Sequence, residues 1–381
     1  MKVQRVEMFV CPMATPSDTS KLQALADSGA VKPGSLVALA GKTEGTGFHD
    51  DWGRVLADLV LREWTARFLG IPVSKVAERV TFVLSGGCPG VITPHVTAVT
   101  REWEEADQAG LDGQKHLVVG IAGSEPILPE QVGRMGMIRT VAAAVHRAMA
   151  DAGVDDPKDV HLVMVKVPGL TTASIKDAES RGQTVVTRDL TFGPEGAGSY
   201  GNDGAALGVA LALGEVPESA LSDAVVRRDW KLYSEVAMTS SGGEKRHGEV
   251  LVLGNSVRSR SRLRIGHAAT KDFIDAEGVR NALRSAGLAF ECLPSEKDLS
   301  RLVHVFAKSV IPGTDELRGQ RITLLDDHDA YQIGKALGGM LVASVTGRTT
   351  NYISGGERNS HQGPPGGNTI AAVVRDAAPR R

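Results

Sequence analysis

The tripeptide Ser-Gly-Gly occurs three times in this 381-residue chain, at Ser85-Gly86-Gly87, Ser241-Gly242-Gly243 and Ser354-Gly355-Gly356. Each copy follows a run that reads as a strand: Val80 to Leu84, Glu235 to Thr239 and Asn351 to Ile353. Each also has a lysine upstream, at the end of another apolar run: Lys42 after Leu36–Ala40, Lys166 after Leu162–Val165, and Lys308 after Val303–Phe306. One Ser-Gly-Gly alone is an ordinary turn. Three copies, each paired with a strand-end lysine, point to three homologous units whose strand ends converge on one site. A further set repeats in step: Gly53-Arg54, Gly201-Asn202 and Gly334-Lys335 stand just before a helix or in its first turn.

The Lys-to-Ser separations are 43, 75 and 46 residues. The middle unit carries the surplus, most of it in Thr171–Ser199, a stretch rich in Gly, Thr and acid that reads as a long loop. Strands alternate with helices: strands at Val3–Val10, Ser35–Ala40 and Val80–Leu84 frame helices at Thr19–Ser28 and Trp52–Phe68. The second unit reads as strands Leu117–Ile121, Val160–Val165 and Leu232–Met238 with helices Met137–Asp151 and Ala205–Leu213. The third reads as strands Val303–Phe306, Thr350–Ile353 and Thr369–Val374 with helices Ala276–Ala286 and Tyr331–Ser344. The expected fold is therefore α/β, as three homologous α/β domains around a pseudo-threefold axis with one central active site. Their bounds are read as residues 1–109, 110–258 and 259–381.

Composition narrows the function classes. A net charge of −2 gives no electrostatic case for nucleic acid or an anionic membrane. No apolar run approaches the ~18 residues of a membrane span. The N-terminus lacks a signal-peptide pattern, and three cysteines, Cys11, Cys88 and Cys292, are too few for a disulfide framework, so a reducing cytoplasm is expected. Gly41-Lys42-Thr43 mimics the end of a P-loop, but Leu36 stands where that motif needs Gly, which argues against nucleotide binding.

A serine needs a base to become a nucleophile, and no His/Asp pair or Gly-x-Ser-x-Gly elbow stands in recognisable context. Lysine can be that base when desolvation and neighbouring cations lower its pKa. Moving it from ~10.4 to ~7 takes roughly 4–5 kcal/mol. Three lysines and an arginine crowded into a dry pocket would act in that direction. The plainer alternative is that strand-end lysines reach out to solvent while Ser-Gly-Gly merely turns the chain.

At these residues the chain resembles the ring-opening cyclic amidohydrolases, the family of cyanuric acid hydrolase and barbiturase. The resemblance spans the whole chain. It is carried by Ala40-Gly41-Lys42-Thr43-Glu44-Gly45, Val83-Leu84-Ser85-Gly86-Gly87, Ala205–Ala210, Ser240-Ser241-Gly242, Leu324-Leu325-Asp326-Asp327, and Ile353–Gly356 with His361–Pro364. It implies a Ser-Lys dyad in the middle domain, with Ser241 as nucleophile, Lys166 as base and Ser240 as a close rival to Ser241. It further implies that Ser85 with Gly86, and Ser354 with Gly355, bind substrate carbonyls. Lys42 and Lys308 would tune charge, and Ser240 and Gly242 would hold the oxyanion.

Cyanuric acid hydrolases place one arginine per domain around a threefold-symmetric ring. The matching positions here are Arg54, Asn202 and Lys335. Three unlike groups suit a ring with unlike edges, so hydrolytic opening of barbituric acid is expected ahead of cyanuric acid. A non-catalytic small-molecule binding protein is the reading from a different class. Asn202 has a second reading, as a helix N-cap. No cofactor is needed for the chemistry. The family often holds a divalent ion in its last domain, so Mg or Ca near Gln362 is considered, although Ser309 stands where a glutamate ligand would be expected. Asp326, Asp327, His328 and Asp329 read as an acidic turn. A homotetramer is implied by the resemblance alone.

Overall fold

The structure is a computed structural model that describes residues 1–47, 51–106, 113–356 and 358–377. The expected boundary at 109/110 lies outside the described residues. Within them, strands β1 (Lys2–Pro12), β2 (Leu36–Thr43), β3 (Thr81–Gly86) and β4 (His95–Glu105) form one four-stranded sheet in the order β1-β4-β2-β3. Strands β5 (His116–Pro126), β6 (Val160–Pro168), β7 (Ala237–Gly242) and β8 (His247–Ser256) form a second, ordered β5-β8-β6-β7. Strands β9 (Leu263–Thr270) and β10 (Leu302–Val310) join β13 (Tyr352–Gly356) and β14 (Asn368–Arg375) in a third, ordered β9-β14-β10-β13. A small hairpin, β11 (Glu316–Leu317) and β12 (Gln320–Arg321), stands apart. Each large sheet thus repeats one order: first, fourth, second, third.

In every sheet the second and third strands are parallel. Parallel neighbours require a crossover, and a helix supplies it. The crossovers are α2 (Trp52–Leu69), α5 (Ala197–Leu213) preceded by α4 (Thr172–Ser180), and α8 (Ala330–Thr346). Helices α1 (Ser20–Asp27), α3 (Met135–Ala152) and α6 (Ala276–Ser285) connect first to second strands, and a single turn, α7 (Glu296–Leu299), precedes β10.

Side-chain alternation along the strands gives each sheet two apolar faces. The outer faces carry the helices. The inner faces meet one another: Val6, Ala40 and Val83 from the first sheet, Met164, Met238 and Leu251 from the second, and Phe306, Tyr352 and Val373 from the third share one core. Truncating such a residue, for instance Phe306→Ala, is expected to cost about 3–5 kcal/mol. The pseudo-threefold α/β arrangement follows from three sheets of one order packed around that common core.

Two elements differ from the sequence reading. The expected Thr171–Ser199 loop contains α4, started by a capping box between Thr171 and Ser174. Helix α5 begins at Ala197 rather than Ala205. Glycine lowers helix propensity, and Gly198, Gly201 and Gly204 obscure this start. They are kept because the helix is buried: a Cβ on Gly204 would lie 3.1 Å from Met137 Sδ, and one on Gly201 3.0 Å from Ser241 Cβ.

Candidate active site

Period two along the strands decides which side chains reach the centre. On β6, Leu162 and Met164 belong to the shared inner core and Val163, Val165 and Val167 to the outer one. Lys166 therefore projects inward. By the same alternation Lys42 follows inward Ala38 and Ala40, and Lys308 follows inward Phe306. All three lysines, with Lys335 of α8, are at most 2% exposed. On the third strands, inward Val83, Met238 and Tyr352 are each followed two residues later by Ser85, Ser240 and Ser354.

The parallel ladders give the same pairing. Lys42 stands opposite Ser85, Lys166 opposite Ser240, and Lys308 opposite Ser354. The middle Ser-Gly-Gly is thus offset by one residue from its two counterparts. Ser241 projects from the other face, where its Oγ donates to Gly198 O at 3.0 Å in α5. The expectation that the Ser241 hydroxyl meets the Lys166 amine is corrected on this point: Lys166 Nζ bonds the Ser241 carbonyl, at 2.8 Å, not its side chain.

The three Lys/Ser pairs are not equivalent. Lys42 Nζ donates to Ser85 Oγ at 3.2 Å and to Gly86 O at 2.8 Å. Lys308 Nζ donates to Ser354 Oγ at 3.3 Å and to Thr239 O at 2.9 Å. Ser240 Oγ is shielded from solvent and has no hydrogen-bond partner among the described residues. The middle hydroxyl is therefore the one left uncommitted. Lys166 instead contacts Glu244 Oε1 at 3.5 Å, and Arg54 Nε lies 3.7 Å from the same oxygen.

Burial governs the electrostatics. It lowers Lys42 and Lys166 to about 8, Lys308 to about 7 and Lys335 to about 6; repulsion from neighbouring lysines adds to the effect at Lys308 and Lys335, while Glu244 opposes it at Lys166. Glu244 shows the reverse balance. Burial would raise its pKa, but Lys166, Arg54 and Lys245 outweigh it and hold the carboxyl at about 2. Lys335 Nζ donates to Gly86 O at 3.2 Å and lies 4.4 Å from the Tyr331 ring centroid, so the ring covers one side of the amine. Arg54 is set by the cap of α2, where Asp51 Oδ1 accepts from Arg54 N at 2.9 Å.

The glycines beside the serines make room for these groups. A Cβ on Gly355 would lie 2.8 Å from Lys335 Cδ, and one on Gly86 or Gly242 would overlap the carboxylate of Asp51 or Glu244. Asn202 lies inside α5, whose N-cap is Gly196, which corrects its reading as a cap. Its buried Oδ1 has no partner among the described residues. Sequence reasoning missed Glu244, Asp51 and Tyr331. Glu244 looks like an ordinary turn residue, and only its fold-back over Gly242 brings it to the lysine.

The residues at the considered ion site do not fit a divalent cation. Gln362 Oε1 accepts from Thr239 N at 2.6 Å, and its Nε2 donates to Ser360 Oγ at 3.0 Å. Ser309 Oγ donates to Gly334 O at 2.6 Å. Among the described residues no cluster of three or more His, Cys, Asp or Glu is arranged to hold a metal. Gln362 instead ties the last loop to β7.

Four similarities to known proteins accompany this geometry. A family model described as an amidohydrolase ring-opening protein matches residues 7–375. A cyclic amide hydrolase of Pseudofrankia inefficax is 55% identical over 97% of this chain and 95% of its own length. Barbiturase 1 of a Nocardioides species is 40% identical over 97% of this chain and 98% of its own. A solved structure of cyanuric acid hydrolase, described as an evolutionary innovation by structural concatenation, superposes with a TM-score of 0.90 at 40% identity, covering 98% of this chain and 100% of that one. Among the described residues, no helix is long and apolar enough to cross a membrane.

Proposed function

We propose that this chain, which belongs to the ring-opening amidohydrolase family and is a cyclic amide hydrolase, opens its ring by attack of Ser240, with Lys166 as the base. The observation that carries the reading is the pairing across β6 and β7: a buried hydroxyl without a partner faces a buried amine whose pKa is lowered to about 8. Such an amine is partly neutral near physiological pH and can accept a proton.

Lys166 takes the proton of Ser240 as Oγ bonds a ring carbonyl carbon, whose oxygen becomes an oxyanion. Arg54 supplies positive charge beside it, the Lys335 amine can donate a hydrogen bond, and the Gly242 N–H is a candidate donor. Collapse breaks the ring C–N bond, and the Lys166 ammonium returns its proton to the leaving nitrogen. Water then gives a proton to Lys166 and bonds the acyl carbon. The Oγ–acyl bond breaks, and the proton returns to Ser240.

For the substrate we favour barbituric acid, giving ureidomalonate. Arg54, Asn202 and Lys335 are unlike groups, which suit a ring whose edges differ, and the orphaned Asn202 Oδ1 can accept from a ring N–H. Cyanuric acid is the competing substrate, supported by the similarity to cyanuric acid hydrolase. Offering each compound separately to the purified protein, and following ring loss by ultraviolet absorbance, decides between them. Turnover of cyanuric acid alone would overturn the barbiturate assignment. Association into a tetramer is part of this proposal, supported by the exposed row Trp52, Leu56 and Leu59 on α2. So is a reducing compartment, supported by three unpaired cysteines.

A further inference from the structure

We propose that Glu244 is the third member of this catalytic unit, a positioning residue that fixes the orientation of Lys166 beside Ser240 and steadies the positive charge Lys166 acquires when it takes the serine proton. The inference rests on the Ser240–Lys166 reading above.

Its geometric support is fourfold. Lys166 is in direct ion-pair contact with Glu244, whereas neither Lys42 nor Lys308 has such a carboxylate among the described residues. The carboxylate is only 19% exposed, and one oxygen, Oε1, touches both Lys166 and Arg54. It occupies the space a side chain at residue 242 would fill, so Gly242 is its cradle. Finally, Lys42 and Lys308 each donate to their own serine, while Lys166 is drawn to Glu244 and the Ser241 carbonyl and leaves Ser240 Oγ free. An anion behind the base, which fixes its orientation and balances its charge, is what a general base on a neutral nucleophile requires.

The charged groups around the pair come from four elements. Arg54 of α2 and Lys245 of the β7–β8 turn face both Lys166 and Glu244. Lys308 of β10 faces Lys166, and Lys42 of β2 faces Lys308. Lys245 is itself tied to Glu249 at 2.6 Å and lies 3.7 Å from Asp58. Each cation besides Lys166 favours its neutral form, and Glu244 alone among these direct neighbours favours its ammonium. Removing that anion must therefore let Lys166 lose its proton at lower pH.

The test compares the pH profile of kcat/KM for the wild type, Glu244→Gln and Glu244→Asp on whichever cyclic imide the enzyme turns over. The expected result for Glu244→Gln is an acid limb whose midpoint moves down by about one pH unit or more, with a plateau rate lowered ~10- to 100-fold. Glu244→Asp, which keeps the charge, returns the midpoint toward wild type. A folded Glu244→Gln protein whose midpoint stays put or moves up overturns the inference. Lys166→Ala separates the two readings. If it is inactive while the Glu244→Gln midpoint is unmoved, the role of Glu244 fails alone. If it retains wild-type turnover, the Ser240–Lys166 reading fails with it.

Discussion

Lys166 and Ser240 stand directly opposite each other across the parallel pair β6–β7, while Ser241, one residue on, points to the far face and bonds Gly198 O. Two adjacent hydroxyls therefore have separate surroundings, and the proposed attack gives them separate duties. Ser240→Ala is expected to lower kcat by about a thousandfold or more. Ser241→Ala should retain kcat within about tenfold and cost roughly 1 kcal/mol of stability through its lost buried hydrogen bond. Steady-state kinetics and thermal melts of both variants check this, and the reverse order would restore Ser241 as the nucleophile.

The base must be neutral to act. Lys166 is lowered by burial to about 8, so kcat/KM should rise with pH through that value and level off above it. Lys166→Arg keeps a cation that does not lose its proton in this range. It should be inactive at every pH tested, and a rising limb that persists in that variant would assign the titration to another group.

The lysine cluster also has a thermodynamic signature. Lys42, Lys166, Lys308 and Lys335 are all lowered from 10.5, to about 8, 8, 7 and 6. Between those values and 10.5 the unfolded chain binds more protons than the folded one, so stability should increase with pH across that window. The destabilisation is full below the folded-state values and vanishes above the unfolded one. Melting temperature from pH 6 to about 10 tests the sign. Lys335→Met should flatten the slope in the lower part of the range, and a slope that falls with pH contradicts the burial argument.

Away from the chemistry, Asp203 and Arg227 form a buried ion pair whose side chains are 1% and 2% exposed. Asp203 Oδ1 also accepts from the Ser360 hydroxyl and from His361 N, so it joins the second sheet's helix to the last loop of the third. Asp203→Asn removes a counter-charge from a buried guanidinium. A loss of about 3–5 kcal/mol is expected, read by denaturant unfolding, with little change in the Lys166 titration.

The repeated lysines and the third-strand serines were legible because strand-end motifs are local in sequence. So were α2, α3 and α8, whose apolar spacing is strong. The register of the middle unit was not legible. Ser240-Ser241-Gly242 matches the Ser-Gly-Gly of its neighbours best through Ser241, but ladder pairing, a non-local property, sets Ser240 opposite Lys166. Strands β4, β8 and β9 went unread, although β4 and β8 each lie between two partners in their sheets. The start of α5 was hidden because burial of a glycine-rich face overrides weak helix propensity. Glu244 was hidden because nothing local announces that a turn residue will fold back over a glycine.

The inner faces of all three sheets are continuous with one another, so the centre belongs to no single third of the chain. On the proposed reading only the middle third supplies the attacking hydroxyl and its base, while the first and third hold the ring through Arg54 and Lys335. Substitutions in those two thirds would then alter which ring is gripped and leave the attack itself in place.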